Sequence, residues 1–167
     1  MKTSRIAEFG MLLALALVLS YLESLIPVVI AVPGVKLGLA NIMTILILYR
    51  MNGRFAFFFM TARVLLTGFL FAGISTILYS FVGGLFCILV MSVLKKSSFF
   101  SVLGVSMAGA VFHNVGQILV AILIMENAHI LYYLLVLCVT GMASGLAIGY
   151  LAHLLMKQYN KIYERNR

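Results

Sequence analysis

Aspartate and tryptophan are absent from the 167 residues, four glutamates are the whole acidic complement, and cysteine and proline occur twice each. Each shortage excludes something. Glu8, Glu23, Glu126 and Glu164 are scattered along the chain, so there is no carboxylate cluster to hold Mg²⁺, a hard cation that takes oxygen ligands, against a diphosphate. This chain alone cannot ionise a prenyl diphosphate in that way, and it is not expected to be an enzyme. Cys87 and Cys138 sit inside apolar runs, where a thiol behaves as a small hydrophobe; neither a disulfide nor a metal site is expected. No G-x-x-x-x-G-K-[ST] loop is present to cradle nucleotide phosphates, so an ATP-driven process would need another subunit. No cofactor is implied.

Charge is scarce as well. Charged residues make up 10% of the chain and hydrophobic ones 64%, with a mean hydropathy of +1.17, whereas soluble domains run near a quarter charged. Such a composition cannot build a water-soluble surface. A membrane span takes roughly 20 apolar residues, so the length holds about six spans with short loops, residues 1–167 forming a single integral membrane domain. Lys2 and Arg5 precede an apolar run that is too long for the h-region of a signal peptide and lacks a small-residue cleavage site. That run reads as a retained first helix.

Hydropathy and breakers delimit six segments: Ile6 to Ile26, Leu37 to Tyr49, Phe55 to Leu70, Ile74 to Leu94, Phe99 to Met125 and Ala128 to Met156. Val28 to Val32 can extend the second, with Pro33 and Gly34 as a kink or re-entrant turn. The third and fourth are divided at Phe71 to Gly73 by small residues alone, and merging them gives five spans. Lys and Arg in short loops collect on the cytoplasmic side. With six spans, Lys2, Arg5, Arg50, Arg54, Lys95, Lys96, Lys157, Lys161, Arg165 and Arg167 share one side and Lys36 takes the other, with Arg63 inside a span. Five spans would set Lys95 and Lys96 opposite Arg50 and Arg54. The expectation is an all-α polytopic bundle of about six transmembrane helices, both termini in the cytoplasm. The net charge of +8 is thereby assigned to loops and a basic tail at the lipid headgroups, not to nucleic acid.

Ionisable groups within spans are costly and usually face a bundle interior or a cavity. Glu23 falls near the outer end of the first segment, Lys36 and Asn41 at the outer start of the second, Arg63 mid-way along the third, and His113, Asn114 and Gln117 in the fifth. His113 and Gln117 share a helix face at i, i+4. In the expected topology almost all of these groups lie at or outside the midplane. That lopsidedness suits a pocket open to the outside, and Lys36 and Arg63 suit a small anionic ligand, since a guanidinium favours a carboxylate or phosphate. The competing reading has Arg63 pairing with Glu23 and the amides bonding across helices as packing. Gly10 with Ala14, Gly83 with Gly84, and Gly141, Gly145 and Gly149 are small-residue steps that let helices approach closely, either within the bundle or against a partner helix.

The stretches YLESLIP at Tyr21 to Pro27, PGVKLGLANI at Pro33 to Ile42 and GVSMAGAVFHNVGQILVA at Gly104 to Ala121 resemble the bacterial membrane family of heptaprenyl diphosphate synthase component I, also called the Gx transporter family. The likeness runs from about Ile6 to Met156. The small six-helix form is also similar to the substrate-binding S-components of energy-coupling factor transporters. The synthase resemblance implies a membrane subunit of an isoprenoid chain-elongating enzyme, with a prenyl synthase partner. The S-component resemblance implies a protein of the bacterial cytoplasmic membrane that captures a ligand from outside and borrows ATPase and coupling subunits. Gly10 and Ala14 would stand where small residues of the first helix meet the coupling subunit. Relatives also resemble components of flavin-based extracellular electron-transfer systems. The reading that joins residues and resemblance is a membrane substrate-binding or transport component; the synthase subunit and the electron-transfer component are the alternatives.

Overall fold

The computed structural model describes residues 3–25 and 38–165, and among them it contains only helices and short connections. Six α-helices follow one another: α1 (Thr3–Leu25), α2 (Asn41–Arg50), α3 (Gly53–Thr67), α4 (Ile74–Leu94), α5 (Val102–Met125) and α6 (Tyr133–Arg165). Local chemistry sets their starts. Asn52 caps α3 by accepting from the Phe55 N–H at 3.1 Å, and Ser101 caps α5 by accepting from the Gly104 N–H at 3.2 Å. A π-helical turn, Gly68–Ala72, closes α3. Gly73 then turns the chain with φ +84°, a conformation glycine adopts without penalty, so the third and fourth segments are separate helices. The Ala128–Tyr132 stretch, expected as helix, is a 3₁₀ turn, and α6 runs well beyond Met156.

Among the described residues, five helices are long and apolar enough to cross a membrane: Arg5–Leu25, Gly53–Ala72, Ile74–Leu94, Val102–Met125 and Ala128–Tyr159. Their outward faces carry large apolar side chains; Leu123 is 78% and Leu135 77% exposed. A surface of that kind is unfavourable in water and matched by lipid. Helix α2 differs. Its ten residues span about 15 Å at 1.5 Å per residue, half of a hydrocarbon core of about 30 Å. Every residue from Ile42 to Leu48 is buried, and the helix packs on α1, α3 and α6. A helix that is apolar all round is one surrounded by protein. The expected second span therefore contributes a short central helix. Residues 26–37 before it, with Pro33, Gly34 and Lys36, lie outside the described residues.

Helix α5 packs between α4 and α6 with backbones almost touching. A Cβ on Gly116 would lie 2.8 Å from Gly83 Cα, and one on Gly145 would lie 2.8 Å from Met107 Cα. These glycines thus do their work inside the bundle. The Ser106 hydroxyl fastens the second crossing by donating to the Gly145 carbonyl at 2.7 Å. Gly10 is the contrast: it is exposed, and a Cβ there would meet nothing within 4 Å.

The basic residues gather at one end. Arg50 Nε donates to Glu8 Oε1 at 2.5 Å, and its guanidinium stacks 3.5 Å from the centre of the Tyr159 ring. Lys95 Nζ donates to the Leu48 carbonyl at 2.6 Å. These contacts bring the start of α1 and the ends of α2, α4 and α6 together. The opposite end holds a cavity.

Candidate ligand cavity

The cavity has a volume of about 160 Å³ and is enclosed by all six helices, room for a molecule about the size of benzene. Five helices line it with polar pairs four residues apart: Ser20 and Ser24, Arg63 and Thr67, Thr76 and Ser80, His113 and Gln117, Thr140 and Ser144. That spacing stacks both members of each pair on one helix face. Glu23, Asn41 and Asn114 complete the polar lining, and Phe71, Leu137 and Ile148 are among the apolar members.

The hydroxyls share a habit. Ser24 donates to Tyr21 O at 2.7 Å, Thr67 to Arg63 O at 2.7 Å, Thr76 to Ala72 O at 2.9 Å, Thr140 to Val136 O at 2.9 Å and Ser144 to Gly141 O at 3.1 Å. Each hydroxyl has one proton and two lone pairs. With the proton spent on a nearby backbone carbonyl, the oxygen is left to accept. Glu23 adds carboxylate oxygens, one of which accepts from the Gly38 N–H at 2.5 Å and so ties the start of α2 to the end of α1. Gly38 has φ +73°, and a Cβ on it would come within 3.0 Å of the Asn41 amide; only glycine suits that corner.

Donors come from fewer places. Asn114 Nδ2 donates to Leu137 O on α6 at 2.5 Å, across a gap kept open by Gly141, where a Cβ would lie 2.5 Å from that nitrogen. His113 rests against Gly83 of α4, whose absent Cβ would fall 3.1 Å from the imidazole Cε1. Arg63 is half-buried, and its Nε, shielded from solvent, has no hydrogen-bond acceptor among the described residues. Among those residues the single salt bridge is Arg50–Glu8, so Glu23 and Arg63 face the same cavity without forming an ion pair. Among the described lining residues the guanidinium is the one strong cation.

Of the residues singled out from sequence, Glu23, Asn41, Arg63, His113, Asn114 and Gln117 all line this cavity, and Lys36 lies outside the described residues. Gly10 and Ala14 are exposed on the flank of α1 at the basic end, away from the cavity. The hydroxyl pairs escaped the sequence reading. Their signal was the repeat of Ser or Thr at i, i+4 within apolar helices, which a search confined to ionisable groups and amides passes over. Among the described residues no three His, Cys, Asp or Glu side chains group to hold a metal.

Comparison with curated proteins and with solved structures finds no match for the chain. The family model for heptaprenyl diphosphate synthase component I matches residues 12–155, from the first turns of α1 to the last turns of α6. Component I is the non-catalytic subunit of that synthase, in keeping with a chain that has no aspartate. With α2 to α5 and most of α1 and α6 inside the match, this protein belongs to the heptaprenyl diphosphate synthase component I family.

Proposed function

We propose that this protein is a substrate-binding component of the bacterial cytoplasmic membrane, similar in role to a transporter S-component, and that it captures a small ligand in the cavity. Both termini lie in the cytoplasm, α2 returning the chain to that side after α1, and the cavity opens toward the outside. The observation that carries the reading is Arg63, a guanidinium held half-buried in the cavity wall with its Nε lacking an acceptor among the described residues. Burying a charge without a partner is expensive, and an anionic group on the ligand supplies the partner. The oxygens of Thr67, Thr76, Thr140 and Ser144 accept hydrogen bonds, so the same ligand carries N–H or O–H groups. His113, Asn114 and Gln117 orient it, Asn41 and Glu23 stand at the mouth, and Lys36 adds attraction for the anion. Transport would draw on separate ATPase and coupling subunits, which dock at Gly10 and Ala14.

The test is a thermal-shift screen of small carboxylates, phosphates and zwitterions on the purified protein. Hits should lose their effect in Arg63→Ala and His113→Ala. Hits that survive both substitutions place the ligand elsewhere.

The family match favours a second reading, a membrane subunit that assists a prenyl synthase partner. It requires that elongation of labelled isopentenyl diphosphate depend on this chain. Equal activity with and without it removes the reading.

A further inference from the structure

A second concavity of about 790 Å³ lies at the basic end, where the start of α3 meets the end of α4. Its wall is apolar and opens sideways: Phe57, Phe58 and Leu89 line it, and Phe58 and Leu89 are 64% and 57% exposed. Its rim is cationic, formed by Arg54, Lys95 and Lys96. Arg54 and Lys96 are exposed, and no carboxylate among the described residues pairs with either. Lys95 spends one ammonium proton on the Leu48 carbonyl and keeps two. The amino end of α3 adds the positive pole of its backbone dipole. Ser92 also lines the groove, and its buried Oγ has no hydrogen-bond partner among the described residues. A Cβ on Gly53 would lie 2.7 Å from that oxygen, so glycine lets the start of α3 sit close to it.

Cations at the rim, with an aromatic and aliphatic trough beside them, match an amphiphile with a negative head. The trough faces the region that the long apolar helices assign to lipid. We propose that this groove binds an anionic phospholipid of the surrounding leaflet, its phosphodiester held by Arg54, Lys96 and Lys95 and its upper acyl chain lying against Phe57, Phe58 and Leu89. Basic pockets between membrane helices take such headgroups, each Lys or Arg near an anionic surface changing affinity about fivefold. The site is separate from the cavity, and either can fail without the other.

The full chain, reconstituted in phosphatidylcholine nanodiscs doped with phosphatidylglycerol and then extracted into mild detergent, is examined by native mass spectrometry for retained lipid. Phosphatidylglycerol should be retained over phosphatidylcholine. The double variant Arg54→Gln/Lys96→Gln changes two exposed side chains and should lower that preference about tenfold or more. Leu89→Trp fills the trough without altering charge and should lower retention too. Lys157→Gln/Lys161→Gln removes the same charge from the carboxy-terminal part of α6 and should leave retention unchanged. Equal retention of the two lipids overturns the proposal. So does an undiminished preference in Arg54→Gln/Lys96→Gln, or an equal loss in the α6 variant. Release of the lipid by excess inorganic phosphate would likewise overturn it, because the trough would then contribute nothing.

Discussion

The two ends of the bundle treat their cations in opposite ways. At the basic end Arg50 is met by the Glu8 carboxylate and the Tyr159 ring, and Lys95 by the Leu48 carbonyl. These contacts hold helix ends together. At the cavity end Arg63 sits deeper, and its Nε has no acceptor among the described residues although Glu23 lines the same space. A bundle selected for stability alone would pair the buried cation first, because its isolation costs more in low dielectric. The difference marks the Arg50 contacts as architecture and the cavity end as a place that waits for a partner.

The comparison breaks most sharply at Arg63. Arg63→Met keeps an unbranched stem of about the Cβ-to-Nε length and removes the guanidinium charge. Ligand affinity, measured by calorimetry on a hit from the thermal-shift screen, should fall by about thirtyfold or more, the loss expected when one member of a desolvated charge pair is removed (roughly 2–5 kcal/mol). Thermal stability without ligand should hold or rise, since an unpaired buried charge is relieved. Arg50→Met should do the reverse, leaving affinity unchanged and lowering stability. If Arg63→Met destabilises the unliganded protein as Arg50→Met does, Arg63 is a packing residue and the contrast between the ends disappears.

Next in size are the glycines. Gly145→Ala would drive a methyl toward the Met107 Cα, where no side-chain motion can make room, and overpacking of this kind costs about 1–3 kcal/mol. Gly10→Ala meets nothing within 4 Å and should stabilise α1 by about 0.5–1 kcal/mol through helix propensity. Denaturation in mixed micelles compares the two. Should Gly10→Ala be as harmful as Gly145→Ala, the exposed flank of α1 is already occupied in the purified protein, by a second copy or a co-purifying helix.

These contrasts show what was legible in the sequence. The long apolar runs forecast the five membrane-length helices because composition and length suffice for that. Six of the seven polar candidates converged on one cavity because a polar group in an apolar helix has few places to go. The second segment, Leu37 to Tyr49, is short by residue count alone, but its enclosure was hidden, because hydropathy cannot tell a helix wrapped in protein from one wrapped in lipid. The hydroxyl lining was hidden for another reason. Ser and Thr satisfy themselves on their own helix, so they occur in apolar helices at little cost and stand out only once several helices point them at one space. The division between glycines that touch a neighbouring backbone and those that touch nothing depends on helix rotation, which apolar periodicity this weak leaves open.

Asn114 tests the boundary between packing and recognition. Its amide is committed to the Leu137 carbonyl, and hydrogen bonds between membrane helices average about 0.6 kcal/mol. Asn114→Ala should cost about that much stability. A much larger fall in ligand affinity from the same substitution would mean that the remaining amide oxygen contacts ligand. Equal, small changes in both would place the residue with Ser106, which fastens α5 to α6 and does nothing more.

The smallest effect belongs to Glu8. Its carboxylate and the Arg50 guanidinium are 19% and 26% accessible, so solvent screens the pair, and such bridges contribute about 0.2–1 kcal/mol. Glu8→Gln should therefore shift stability by no more than about 1 kcal/mol, and added salt should narrow the gap between variant and parent as screening weakens the parent's bridge. Arg50 would still lie over the Tyr159 ring, a contact worth about 0.5–1 kcal/mol at exposed sites, so Arg50→Gln should cost more than Glu8→Gln. The order of those two substitutions is the informative result. If the two cost the same, the bridge alone holds the helix ends together. The Tyr159 ring would then be a neighbour of Arg50 without being its anchor.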